Sequence, residues 1–250
     1  MNPFNIFINV LLWLFFVVTS SILVVGAAII RIVMGTFDPN GKILQQYSCF
    51  WACLYLWCNP FWSATIKGKE NADRNKTYVM VSNHQSFADI LVVFRTFLHF
   101  KWVAKKSLFK TPLLGWNMTL NGHVPIERGD AQSREKCLDR CKEWIRKGSS
   151  IFFFPEGTRS EDGNMRPFKA GAFRLALETG TDILPMIIRG SRYAIPKHSP
   201  WIHRKSKMEL EILSPISIKG FDISRLEEES KRLAEMAHAQ IKEVFDAAPI

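Results

Sequence analysis

The stretch "VSNHQSFADILV", residues 81–92, passes from apolar residues into a polar knot and back again. It places His84 five positions ahead of Asp89. On one continuous helix, five steps would turn the two side chains about 140° apart. With His84 in a turn after a strand and Asp89 in the first turn of the next helix, the chain folds back instead. The carboxylate then accepts a hydrogen bond from one imidazole nitrogen and leaves the other as a base. A structural reading competes. Ser86 and Asp89 form an S-x-x-D pattern ahead of "ILVVF", so Asp89 also suits a helix cap, with His84 as a turn residue.

No nucleophile motif stands beside the pair in the sequence, which leaves open what the fold brings near it. The sequence has no G-x-S-x-G elbow, and no cysteine adjoins a histidine. A His–Asp pair on its own is equipment for deprotonating an alcohol, so direct attack by a substrate hydroxyl is expected rather than a covalent acyl-enzyme.

A second constellation is "FFFPEGTRS", residues 152–160, in which an apolar run stops at Pro155 and Glu156, Gly157, Thr158 and Arg159 follow in a tight turn. Gly157 allows close backbone approach, and the planar fork of Arg159 suits bidentate contact with phosphate oxygens. A plain solvated loop has the same composition. A third group, Lys105, Lys106, Lys110 and Arg128, lies near predicted strand ends; most are surface charges, with one or two available to complete an anion site.

The elements that must carry these residues alternate. Residues 77–82, 101–104, 150–154, 182–189 and 207–213 read as strands from their length and β-branched or aromatic content. Residues 87–98, 131–147, 169–179 and 224–246 read as helices, with Gly148 and Gly180 at C-terminal caps and Ser224–Glu227 as a capping box. Strands alternating with helices imply an α/β domain with a largely buried sheet. Neither repeats nor an interdomain linker are evident.

Ahead of this domain, no side chain from Met1 to Ile30 is charged. The apolar run there exceeds the roughly 20 helical residues that span a bilayer. Without a basic n-region, and with so long an apolar stretch, it reads as a retained membrane helix rather than a signal peptide. A second uncharged stretch, Ile43–Ile66, carries aromatics broken by Gln45, Gln46, Asn59 and Pro60, as suits a headgroup boundary. A second span, an interfacial helix and half of a re-entrant hairpin all fit it. Arg31, Lys42, Lys67 and Lys69 follow the first helix and nothing basic precedes it, which places the bulk of the chain on the cytoplasmic side.

Lys and Arg number 33 against 23 acidic residues, a formal charge of +10. This balance suits phospholipid headgroups, phosphate esters, an acidic carrier protein or nucleic acid, and no nucleic-acid-binding module is recognisable. The five cysteines form no CxxC pair and no histidine stands at metal-ligand spacing; Cys137 and Cys141, four apart, read as small core residues.

"NHQSFAD" has the form N-H-x-x-x-x-D, "FPEGTRS" is a second block, and "VPIER" and Leu184-Pro185 are weaker ones. In this order and spacing they resemble the bacterial type of the 1-acyl-sn-glycerol-3-phosphate acyltransferase family, over residues 66–220. The resemblance implies acyl transfer from a thioester, acyl-CoA or acyl-carrier protein, to the hydroxyl of lysophosphatidic acid, yielding phosphatidic acid for phospholipid biosynthesis. By position, His84 resembles the family's general base and Asp89 its orienting carboxylate. Glu156, Gly157, Thr158 and Arg159 resemble its acceptor-binding block and Arg128 a phosphate contact. Lys105 is carried over with Lys106 as the competing assignment. No metal or organic cofactor is implied. The expected architecture is one acyltransferase-type α/β domain, residues 66–250, with a mixed sheet flanked by helices, behind membrane-anchoring helices in residues 1–65. The expected location is the inner, cytoplasmic membrane. A related enzyme acting on glycerol 3-phosphate or another lysophospholipid, and a non-catalytic adaptor binding anionic lipid, are the alternatives.

Overall fold

The computed structural model describes residues 3–160, 163–196, 201–202 and 205–247. Among them, strands β1 (Trp62–Lys67), β2 (Val79–Ser82), β3 (Phe100–Lys105), β4 (Val124–Ile126), β5 (Ser150–Phe153), β6 (Ile183–Arg189) and β7 (Ser206–Ile212) form one sheet. In space they run β1-β7-β6-β2-β5-β3-β4. β2 to β6 are parallel, β7 is antiparallel to β6, and β1 is parallel to β7. The expected mixed sheet is therefore present, and parallel strands need cover on both faces.

Alternate residues supply that cover. Met80, Trp102, Phe152, Leu184, Met186 and Ile188 point into one core, against α2 (Lys42–Cys58) and α3 (Ala88–Phe94). Val79, Val81, Ile151, Ile183 and Ile187 point into the other, against α5 (Ala131–Arg146), α6 (Gly171–Thr179) and α7 (Leu226–Ala247). Cys137 and Cys141 are buried in that second core with free thiols, as their spacing predicts. Gly180 closes α6 in the left-handed conformation at φ 65°, where a side chain would be strained.

Three elements depart from the sequence reading. The three-residue β4 and the short helix α4 (Leu114–Leu120) lie between residues 104 and 131, where the sequence reading assigned neither strand nor helix. The stretch 43–66 divides: α2 packs on α3, Asn59 and Pro60 turn the chain, and β1 enters the sheet beside β7. A boundary at 65 thus falls within a strand, because the backbone of residues 62–67 is paired with residues 206–211. The Ser224–Glu227 pattern does not form the cap. Instead Asp222 Oδ1 accepts the Ser224 N–H at 2.9 Å and opens a 3-10 turn leading into α7. A carboxylate upstream competes well for that donor because its bond is charge-assisted.

Helix α1 (Pro3–Met34) is about 48 Å long at 1.5 Å per residue. Among the described residues it is the one helix long and apolar enough to cross a membrane. One stripe packs on the domain along much of its length. Asn9 Oδ1 accepts the Ile202 N–H at 2.9 Å, Leu12 and Phe16 lean on the first core, and Val24 and Ala27 are buried. A polar knot ties α1 to α2, where Tyr55 Oη lies 2.6 Å from Ser20 Oγ and accepts Trp51 Nε1–H at 2.6 Å. The opposite stripe, with Phe7, Leu11, Leu14, Val18, Ile22 and Val25, is exposed.

The α1–α2 loop is fastened at the other end of the sheet. Lys101, wholly buried at the start of β3, donates through Nζ to Asn40 O at 2.7 Å and Asn121 O at 2.8 Å, and its ammonium lies 4.6 Å from the Trp144 ring centroid. Burial brings its pKa down to about 7. Neighbouring His99 bonds Ser149 Oγ through Nε2 at 2.9 Å, and burial, reinforced by Lys101, brings its pKa down to about 4.

Candidate active site

At the C-terminal end of β2, Asn83 extends the pairing with β6: its side chain donates to Ile188 O and accepts the Ile188 N–H, both at 2.8 Å. That clamp fixes where the next residue leaves the sheet. The His84 N–H donates to Glu156 Oε1 at 2.7 Å, and the His84 carbonyl accepts the Ser160 N–H at 2.8 Å. His84 Nδ1 lies 2.7 Å from Asp89 Oδ2. The fold-back anticipated from the spacing is thus present. Its side chain is 15% exposed, against 0% for Asp89.

Capping and orientation coincide in one oxygen. Asp89 Oδ2 also accepts the N–H groups of Gln85 at 2.7 Å and Ser86 at 2.9 Å, while Ser86 Oγ accepts the Ala88 N–H at 3.1 Å. These reciprocal bonds bind the turn to the start of α3. A carboxylate facing Nδ1 favours the tautomer with its proton on that nitrogen, the arrangement in which Nε2 is the acceptor. Phe154 lies flat against the His84 ring, with centroids 3.9 Å apart and planes 12° from parallel.

The second block begins where β5 ends. Gly157 donates to Phe154 O at 3.0 Å and adopts φ +77°, and a β-carbon there would sit 2.8 Å from Lys169 Nζ. Glu156 turns inward: Oε1 holds the His84 N–H and Oε2 the Arg166 N–H at 3.0 Å. Burial raises its pKa, opposed by those two backbone donors. Both oxygens of this expected acceptor contact are therefore engaged by backbone, and the side chain braces two turns. Thr158 and Arg159 are half-exposed, and among the described residues Arg159 has no carboxylate partner.

The third group separates. Lys106 pairs with Glu127 at 3.0 Å, whereas Lys105, exposed at the end of β3, has no carboxylate partner among the described residues. Arg128 is exposed just after β4. Because β2, β5, β3 and β4 are adjacent and parallel, the segments after them reach one edge in the order His84, Arg159, Lys105, Arg128. Strands lie about 4.8 Å apart, so this row spans roughly 14 Å from base to outermost cation. A base at one end and three cations beyond it can activate a hydroxyl on a molecule that also carries an anion. Among the described residues, no group of three or more His, Cys, Asp or Glu side chains is placed to hold a metal ion.

The sequence reading singled out His84, Asp89 and the Arg159 turn but gave no part to Asn83, Ser160 and Phe154, which clamp or contact them here. Phe154 and Ser160 lie in the quoted "FFFPEGTRS" and Asn83 precedes His84, yet their partners lie on other strands and no local spacing announces them.

The acyltransferase family model matches residues 63–189. A chloroplastic 1-acyl-sn-glycerol-3-phosphate acyltransferase of Brassica napus is 37% identical over 201 residues, covering 77% of this chain and 58% of that protein. The 1-acyl-sn-glycerol-3-phosphate acyltransferase of Saccharomyces cerevisiae is 33% identical over 184 residues, covering 72% of this chain and 60% of its own. The chain thus matches somewhat over half the length of these relatives. Among solved structures, the 1-acyl-sn-glycerophosphate (LPA) acyltransferase PlsC of Thermotoga maritima superposes with a TM-score of 0.69 at 26% identity, covering 94% of this chain and 98% of that one.

Proposed function

The chain belongs to the acyltransferase family, and from that premise we propose that it acylates the sn-2 hydroxyl of 1-acyl-sn-glycerol 3-phosphate to give phosphatidic acid. The observation that carries this reading is the 2.7 Å contact between His84 Nδ1 and Asp89 Oδ2, on the sheet edge that also presents Arg159. The names of the relatives above support the choice of acceptor.

In this reading, His84 Nε2 takes the proton from the acceptor hydroxyl as its oxygen attacks the thioester carbonyl of the donor. Asp89 stays ionised and stabilises the imidazolium. The C–S bond then breaks, and the departing thiolate takes the proton from Nε2. The new bond is the ester C–O bond, and the base returns to its starting state without a covalent enzyme intermediate. Among the described residues, no hydroxyl or thiol bonds the His84 side chain, which supports direct transfer.

Arg159, Lys105 and Arg128 hold the phosphate of the acceptor and set its distance from the base. Thr158 and Gly157 shape the turn on which Arg159 stands, and Glu156 fixes that turn to His84. The exposed stripe of α1 associates with the bilayer in which the acceptor resides, with the sheet domain on the cytoplasmic face. Acyl-CoA and acyl-carrier protein present the same thioester to this site.

The test is a product assay. Purified protein receives labelled acyl-CoA or acyl-carrier protein with lysophosphatidic acid, glycerol 3-phosphate or another lysophospholipid in parallel, and products are identified by mass. Phosphatidic acid as the dominant product is expected. Preferred acylation of another acceptor, or no transfer from either donor, overturns the reading.

A further inference from the structure

Hydrogen bonds fix the His84 main chain on both sides and one ring nitrogen, yet none of them closes off a face of the ring. The second side-chain torsion of histidine is broad and soft, so a single bond at Nδ1 leaves the ring plane free to rock. The contact that removes this freedom is Phe154, whose ring lies 3.9 Å from the imidazole centroid and 12° from parallel. Behind it, Trp102 stacks on Phe154 at 5.5 Å and 22°, and Trp102 packs 4.4 Å from Phe152 in the first core. Trp102 is only 4% exposed. Phe154 is therefore pressed against the histidine by a rigid aromatic column rather than by solvent.

The geometry also has an electrostatic sense. Neutral aromatic pairs favour offset or edge-on arrangements with centroids about 4.5–7 Å apart. A closer, nearly face-to-face pair suits a ring that carries positive charge, because a cation over a π face is attracted by its quadrupole. The imidazole is such a cation once it has accepted the proton of the acceptor.

We infer that Phe154 is a positioning residue for acyl transfer: its ring fixes the imidazole plane so that Nε2 meets the acceptor hydroxyl, and its π face stabilises the imidazolium. This inference rests on the reading of His84 as the general base. With one ring face closed by Phe154 and the Nδ1 edge closed by Asp89, the acceptor hydroxyl meets Nε2 at its own edge, along the in-plane lone pair.

The test uses the full chain in detergent micelles with lysophosphatidic acid and a labelled acyl thioester. Phe154→Leu and Phe154→Met both remove the ring while filling most of its volume, and Phe154→Tyr keeps it. The ring-less variants should lose about 10–100-fold in kcat, the scale on which small misplacements act, with little change in either KM. The acidic limb of their kcat/KM profile should move down by about half a pH unit, as expected for loss of a modest cation–π contact. Phe154→Tyr should restore both readouts. Unchanged turnover and an unmoved limb in a folded ring-less variant overturn the inference, and so does equal loss in Phe154→Tyr. A simple packing role predicts a lower melting temperature with normal kcat per folded molecule. His84→Ala, assayed alongside, separates the two readings: if it abolishes transfer while Phe154→Leu is normal, only the Phe154 inference falls. If His84→Ala keeps near-normal turnover, the base reading itself fails.

Discussion

Glu156 holds His84 by its backbone: Oε1 accepts the His84 N–H at 2.7 Å, while Oε2 accepts the Arg166 N–H at 3.0 Å. Glu156→Gln keeps one acceptor but turns an NH2 group toward one of two N–H donors. A buried donor left unpaired costs about 1–3 kcal/mol. The variant should melt at a lower temperature and lose kcat, with acceptor KM nearly unchanged. A selective rise in acceptor KM would instead return Glu156 to the acceptor's side.

Asp89 serves both the turn and the imidazole through one oxygen, so a neutral replacement separates the two. Asp89→Asn retains an oxygen for the N–H groups of Gln85 and Ser86 but loses the charge opposite Nδ1, and its amide favours the wrong histidine tautomer. We expect kcat to fall on the order of 100-fold or more, the range of positioned acid–base groups, with a small change in melting temperature. Capping alone predicts the reverse, and both quantities can be measured on one preparation.

Arg159 follows β5, next to the strand that delivers His84, and among the described residues no carboxylate neutralises it. Arg159→Lys preserves charge but not the bidentate fork. Acceptor KM should rise by about 10-fold, corresponding to roughly 1.4 kcal/mol, with donor KM little affected. Steady-state kinetics with each substrate varied in turn distinguishes this from a general loosening of the turn, which would raise both.

His99 predicts an acid limit to stability. Its folded pKa of about 4 lies below its ordinary value of 6.5, so an unfolded chain takes up a proton that the native state refuses as pH falls from 6.5 to 4. Stability should decline across that window by an amount on the order of 2–3 kcal/mol. His99→Gln retains a partner for Ser149 without titrating and should shrink the decline. Urea midpoints at pH 7 and 4.5 provide the check; identical declines in both proteins would assign the effect elsewhere, such as to buried His123, whose pKa is lowered in the same direction.

The strands and helices with strong periodicity were legible in the sequence because burial on two faces leaves uninterrupted apolar runs, as in residues 150–154 and 182–189. β1 was not, since its six residues continue an aromatic stretch and pair with a strand remote in sequence. The same division runs through the site. The His84–Asp89 contact is local, so its spacing carries a signal. The Glu156–His84 brace and the Phe154 stack depend on β2 and β5 being neighbours, a fact of sheet order that neither segment carries alone.

The place of β7 in the sheet has a consequence for the order of assembly. Trp62 pairs with Ser206, and Met186 with Ile212, so β7 is the strand through which β1 joins the others. Residues 201–202 precede it, and Ile202 is bonded to both Asn9 and Asn59. During synthesis, α1, α2 and β1 emerge long before their partner does. The entropy of closing so long a loop grows only slowly with its length, but such contacts are formed late and slow folding. Until β7 arrives, β1 presents an unpaired edge, the kind of exposed template that favours misassembly. The nascent chain therefore depends on β7 to close a sheet that β1 leaves open.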